Sequence, residues 1–140
     1  MKKFLYFILV SLLFVSGCAA SAQKGIMDVD STEQLKIRQM QTRYFDTSGK
    51  KMVMESVMAT LQDLGFVIDK ASFELGSVSA TKLSGYMIKM TVNVLPKGED
   101  RITVRANAQY NITPITDPLP YQQFFESLAK SMFLQAHLDE

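Results

Sequence analysis

The sequence predicts an α+β domain in which two helices pack on one face of a single antiparallel sheet. Residues 86–95 and 101–112 alternate between apolar and polar side chains, the pattern of strands with one dry and one wet face. Residues 121–137 and the segment after Asp46 instead carry apolar side chains at helical spacing. The predicted order is β-α-β-β-β-β-α, with too few helices between strands for a parallel βαβ design.

The first strand and the first helix are predicted between Arg38 and Gly65. The segment "RQMQTRYFD" alternates in the manner of a strand. Apolar residues then recur at helical spacing, at Val53, Val57, Leu61 and Leu64. Asp46, Thr47 or Ser48 are candidate N-caps of this helix, and Gly65 is placed where a left-handed residue ends a helix.

Four further strands and a second helix complete the prediction. The segments "FVIDK" and "VSATKL" form a strand pair, joined by a loop with Gly76 at its pivot. The two clearest strands follow, and their apolar face carries Tyr86, Ile88, Met90, Val92, Val94, Ile102, Val104, Ala106, Ala108, Tyr110 and Ile112. Their other face carries Met87, Lys89, Thr91, Asn93, Leu95, Arg101, Thr103, Arg105, Asn107, Gln109 and Asn111. An extended, proline-rich connection leads to the last helix, whose apolar side carries Tyr121, Phe124, Phe125, Leu128, Met132 and Phe133.

The N-terminus has the organisation of a secretory signal peptide. Lys2 and Lys3 precede an apolar run, residues 4–15, which is shorter than the roughly 20 residues that span a bilayer. Cys18 is the only cysteine, so no disulfide can form within the chain. The residues Val15-Ser16-Gly17-Cys18 resemble a bacterial lipobox.

The lipobox resemblance implies that Cys18 carries lipid and that cleavage removes residues 1–17. In lipoproteins of this kind the thiol receives a diacylglycerol and the new N-terminus is acylated, for example with palmitate. Several acyl chains hold a protein firmly on a membrane. Ala19, rather than aspartate, follows the cysteine, which in such lipoproteins implies sorting to the outer membrane.

Cleavage would leave 123 residues with a net charge of −1, because Lys2 and Lys3 are lost from a chain of charge +1. This length predicts one domain, and the charge balance gives no reason to expect nucleic acid as a partner. We expect residues 18–37 to form the lipidated N-terminus and a flexible tether, and residues 38–140 to form the α+β domain.

A second resemblance lies within the predicted domain. The segments "RQMQTRYFDT", "LQDLGFVIDKA" and "LGSVSATK" are similar to a pattern found in small, mostly uncharacterised bacterial outer-membrane lipoproteins. The predicted architecture also resembles the helix-grip modules in lipoproteins of the β-barrel assembly machinery. These likenesses imply a location and a fold class, and neither implies an activity.

The sequence contains no recognisable catalytic or metal-binding constellation. Cys18 is assigned to lipid, and the only histidine, His137, lies close to the C-terminus, where chains fray. The chain has no histidine and cysteine cluster of the kind that binds zinc, and no phosphate-binding or nucleophile motif. We therefore expect a protein that is not an enzyme and needs no cofactor or metal. An enzyme that uses carboxylates distant in the sequence is the third hypothesis.

Two features are candidate binding surfaces. The polar side of the predicted sheet is mildly basic, and its candidate interaction residues are Lys89, Arg101, Arg105 and Asn107. Simple solvation is the commoner explanation of such a face. The second feature is the set of methionines, nine in all, whose flexible side chains can line an adaptable binding groove. The favoured interpretation is that they fill the core, apart from Met52 and Met87, which fall off the main apolar faces.

Two functional hypotheses follow. The first is a non-enzymatic outer-membrane lipoprotein that faces the periplasm and acts as an accessory interaction module of an envelope assembly, in transport, secretion or barrel assembly. The second is a lipoprotein that binds a lipid or small molecule between the sheet and the C-terminal helix, near Phe124, Phe125 and Phe133. A closed core under these rings favours the first, whereas an apolar pocket of about 300 Å³ or more favours the second.

Overall fold

The computed structural model of the chain describes residues 23–83 and 87–138, with side chains for 31–83 and 87–133. Its elements, in chain order, are α1 (Gln23–Met40), β1 (Thr42–Phe45), α2 (Lys50–Asp63), β2 (Val67–Ser72), β3 (Ser77–Leu83), β4 (Met87–Pro96), β5 (Ile102–Tyr110), β6 (Thr113–Pro114) and α3 (Pro118–Leu138). The predicted α+β order is confirmed from β1 to α3, and the short strand β6 is an addition. Cys18 lies outside the described residues.

One antiparallel sheet contains every strand of the described chain. Its order is β2-β3-β4-β5-β1, and β6 pairs with the end of β5 that β1 leaves free. The strands β2 to β5 follow one another along the sheet, as hairpin connections dictate. The first strand instead joins the far edge, beside the last long strand.

The alternation predicted for β4 and β5 is confirmed. The even-numbered side chains from Met90 to Val94 and from Ile102 to Ala108 are buried, while the odd-numbered ones between them are exposed or half-buried. This places the dry face of the sheet against the helices. Ile112, which the sequence assigned to the dry face, lies beyond the end of β5 and is 90% exposed.

The two helices do not make equal contact with the sheet. Helix α2 packs on β2, β3 and β4, and α3 packs alongside α2. Four aromatic and aliphatic side chains of α3 complete the same core, namely Tyr121, Phe124, Phe125 and Leu128. Phe133, predicted to share this side, is 63% exposed.

The N-terminus of α2 differs from the prediction, whereas its C-terminus matches it. The N-cap is Gly49, without a side-chain cap bond, and Thr47 Oγ1 instead accepts a hydrogen bond from the Gly49 amide at 3.2 Å. At the C-terminus, Gly65 has a φ of +82° and its amide bonds to Gln62, while the Phe66 amide bonds to Leu61. This is the Schellman arrangement that the position of Gly65 predicted.

Helix α3 begins earlier than predicted. Pro118 and Pro120, assigned to an extended connection, lie in its first turn, where a proline loses no intrahelical hydrogen bond. The Leu119 amide donates to Asp117 Oδ1 at 2.9 Å, so Asp117 caps this helix.

Tyr121 fills a gap in the sheet between β1 and β6. Its buried phenol oxygen accepts hydrogen bonds from the Ala108 amide and from Gln41 Nε2, each at 3.2 Å. The phenol in turn donates to the Ile115 carbonyl at 2.7 Å. The phenol thus provides a partner for a strand amide that no neighbouring strand reaches.

The segment before β1 is helical over Gln23–Met40, where the sequence predicted a tether with at most one helical turn. A boundary between two structural units of the chain falls inside this helix, between Gln34 and Leu35. Among the helices of residues 23–83 and 87–138, none is both long and apolar enough to cross a membrane.

Candidate interaction surface

The face of the sheet opposite α2 and α3 is lined by small polar and basic side chains, and we call it the polar face. Its central members come from β3, β4 and β5: Ser77, Ser79, Thr81, Lys89, Thr91, Asn93, Thr103, Arg105, Asn107 and Gln109. Each is exposed or half-buried. The local cause is strict alternation, which sends every second side chain of a strand to the same side of the sheet.

Strand register arranges these side chains in rows across the sheet. Ser79, Thr91 and Asn107 lie opposite one another, and the Ser79 and Thr91 hydroxyl oxygens are 3.4 Å apart. A second row contains Thr81, Lys89 and Gln109, and a third contains Ser77, Asn93 and Arg105. The rows form a regular array of hydrogen-bond donors and acceptors on one surface.

A fourth strand contributes a lysine that alternation alone would misplace. The pairing of β2 with β3 shifts register between Ile68 and Lys70, so that Lys70 lies opposite Ser79 on the polar face. Strict alternation from Val67, which lies opposite Thr81, would have sent Lys70 to the helix side. Nothing in the local pattern of "FVIDK" signals this bulge.

The charges of the polar face are predominantly positive. Lys70, Lys89 and Arg105 lie on it, and the ion pairs found among the described residues, Lys51–Glu55 and Arg101–Asp46, involve none of them. Asp69, the nearby acid on β2, accepts a hydrogen bond from Thr81 Oγ1 at 2.7 Å. The cations of this face are therefore available to an external acid.

The four candidate residues do not all lie together. Lys89, Arg105 and Asn107 lie on the central strands of the polar face. Arg101 precedes β5, and its Nε donates to Asp46 Oδ1 at 3.0 Å. This exposed pair contributes little to stability, but it partly neutralises Arg101, which lies one residue before β5.

The methionines divide largely as the sequence predicted. Met54 and Met90 are buried, and Met58 packs against the core. Met87 is 40% exposed. Met52, predicted to lie off the apolar face, is partly buried against the core.

The core beneath the aromatic rings of α3 is closed. Phe124 and Phe125 pack edge to face with their ring centres 5.1 Å apart, and they are 0% and 5% exposed. An open groove of about 280 Å³ lies beside them, between β1 and α3. It is lined by Arg43, Tyr44, Phe45, Gln122, Phe125, Glu126 and Ala129. The space beside these rings is thus an open surface groove, a little smaller than the roughly 300 Å³ expected of a ligand pocket.

Metal-binding groups do not cluster in the described part of the chain, where no set of three or more histidine, cysteine, aspartate or glutamate side chains could hold an ion. No protein-family model and no curated protein matches the chain.

Proposed function

We propose that the chain is a non-enzymatic lipoprotein of the bacterial outer membrane, anchored through Cys18 and facing the periplasm. Its α+β domain would act as an accessory interaction module of an envelope assembly that serves transport, secretion or barrel assembly. The observation that supports a binding role is the polar face, where rows of hydroxyl and amide groups surround Lys89 and Arg105.

The composition of the polar face indicates the character of the partner. Lys70, Lys89 and Arg105 give it a positive field, and opposite charge on a partner speeds association and excludes wrong partners. The side chains between these cations are short and polar. The large exposed apolar side chains of the same face lie at strand ends and edges, namely Tyr44, Val67, Leu83, Met87 and Leu95. We infer that the partner contributes acidic and amide-rich side chains from a protein surface.

The lipid anchor is supported by the order of basic residues, apolar run and lipobox in the first 18 residues. Replacing Cys18 with alanine should abolish labelling by a fatty-acid analogue and leave the signal segment uncleaved. The measurement is incorporation of the analogue together with a gel shift. Ser21→Ala, close to Cys18 but outside the lipobox, is the control and should be labelled normally. A labelled band in the Cys18→Ala variant would disprove the lipid anchor.

Charge reversal on the polar face tests the binding role. Lys89→Glu combined with Arg105→Glu should leave the melting temperature nearly unchanged, because exposed substitutions usually alter stability by less than about 0.5 kcal/mol each. Recovery of a partner crosslinked in intact cells should fall at least about tenfold, because like charges would then face each other. Both quantities are measured on the membrane-anchored chain.

A matched control separates the surface from net charge. Lys36 and Lys130 are exposed and lie outside the polar face, so Lys36→Glu with Lys130→Glu alters the net charge equally. This variant should retain its partner. Equal recovery with both variants would rule out the polar face as the binding surface. Arg101→Glu should have a smaller effect than Arg105→Glu, since Arg101 already pairs with Asp46.

A further inference from the structure

The two edges of the sheet are not equally protected against pairing with another strand. On one edge, β2 carries a register shift between Ile68 and Lys70, together with the charged residues Asp69 and Lys70. Bulges and charges are the devices that keep edge strands from pairing. On the other edge, β1 pairs with β5 in regular register over Thr42–Phe45, so no bulge interrupts its backbone.

The hydrogen bonds of β1 indicate which of its backbone groups point away from the sheet. The Ala106 amide donates to the Gln41 carbonyl, so Gln41, Arg43 and Phe45 direct their backbone groups toward β5. Thr42 and Tyr44 alternate with them and direct theirs away from the sheet. Arg43 Nη1 donates to the Thr42 carbonyl at 2.9 Å. The amide and carbonyl of Tyr44 bond to no other group within the part of the chain that the structure describes.

The side chains around Tyr44 leave this edge open. The Tyr44 ring is 55% exposed, with the Lys97 ammonium 4.5 Å from its centre. Arg43, which as a free charge would deter pairing, is folded back over the Phe125 ring at 5.1 Å and donates to the Gln39 carbonyl. The groove beside the edge contains one cation and one anion, Arg43 and Glu126. Each groove lining is therefore neutral overall, and the nearby cation outside it, Lys97, lies over the Tyr44 ring.

We propose that β1 pairs antiparallel with β1 of a second copy of this chain, about a twofold axis at Tyr44. The outward amide and carbonyl of Tyr44 can pair with the backbone of another extended strand. Strand β1 of a second copy supplies such a backbone in register. In this pairing Tyr44 lies opposite Tyr44 of the partner, and each amide donates to the other's carbonyl. The two sheets become continuous, and both grooves between β1 and α3 face the junction.

A single-cysteine experiment tests this arrangement. In the full chain carrying Cys18→Ala, Tyr44→Cys should form a disulfide-linked dimer under mild oxidation, because paired residues across antiparallel strands lie about 5.5 Å apart between Cα atoms. Tyr110→Cys in the same background is the control, since Tyr110 is similarly exposed at 43% but lies at the end of β5. Equal crosslinking of the two variants would overturn the proposal.

A substitution that removes the Tyr44 amide tests self-association independently. The measurement is analytical ultracentrifugation of the detergent-solubilised chain. Tyr44→Pro removes the outward amide together with the ring and fixes φ, a change that an edge strand tolerates. It should weaken self-association at least about tenfold. Tyr44→Thr keeps the amide and should still dimerise. The proposal is overturned by a natural chain that stays monomeric at about 100 µM, or by a Tyr44→Pro chain that is folded and fully dimeric.

Discussion

Replacing Gly76 with alanine is expected to come close to unfolding the domain. Gly76 is buried, has a φ of +68°, and its carbonyl accepts a hydrogen bond from the Val94 amide at 2.7 Å. An added Cβ would overlap the Val94 carbonyl oxygen and approach Lys50 Cε to 3.0 Å. Strand β4 would have to move away from the β2–β3 turn. We expect a loss of about 3–5 kcal/mol, a large part of the stability of a small domain.

Gly98 is the matched control for this substitution. It also has a positive φ, of +74°, but an added Cβ there meets no atom within 4 Å. Gly98→Ala should therefore cost only the conformational strain, about 1 kcal/mol. Urea denaturation followed by circular dichroism measures both. If the two variants unfold at the same midpoint, the close approach of Gly76 to β4 is wrong.

Val57→Asp is the second substitution with a large expected effect. Val57 is fully buried in the interface between α2 and the sheet. An aspartate there would lose apolar packing and place an unpaired carboxylate in the core, and we expect at least about 4 kcal/mol of destabilisation. Thermal melting should show a domain that is unfolded or nearly so at 37 °C.

The pH dependence of the stability of Val57→Asp shows whether a buried carboxylate causes the destabilisation. Burial raises the pKa of an introduced carboxyl in the folded state above its unfolded value of about 3.9. The folded state then binds more protons than the unfolded state, so stability is lost as pH rises through the folded pKa. Relative to the natural chain, Val57→Asp should be less destabilised at about pH 4 than at about pH 7. A deficit that does not depend on pH would argue against a buried carboxylate.

Two comparison variants test the assignment of faces. Ala59 is exposed on the same helix, so Ala59→Asp should cost only helix propensity, about 0.7 kcal/mol or less. Ile88 lies on the dry face but is only partly buried. We therefore expect Ile88→Asp to destabilise the domain less than Val57→Asp, although the sequence places both residues on predicted apolar faces.

The proposed surfaces occupy different parts of the domain and can fail separately. The polar face depends on Lys89 and Arg105 of the central strands, whereas self-association depends on the backbone of Tyr44 at an edge. A charge-reversed polar face should leave the dimer intact. Conversely, Tyr44→Pro should leave the cationic rows in place. Measuring both properties on both variants shows whether the two surfaces act independently.

The sequence alone determined the features that depend on local periodicity. Alternation assigned Val92 to the dry face and all four candidate residues to the polar face, where the central strands carry Lys89, Arg105 and Asn107. The spacing from Val53 to Leu64, followed by Gly65, was enough to define α2 and its end. These patterns are readable because a strand or helix directs each side chain by its position in the element alone.

Only the tertiary structure decided the features that join distant residues. It paired β1 with β5, placed Asp46 beside Arg101, and brought the phenol of Tyr121 to Gln41, a residue 80 positions away in the sequence. It also introduced the bulge that turns Lys70 to the polar face. None of these has a local signal, because strand order and register are set by which long-range pairing buries the most apolar surface and satisfies the backbone.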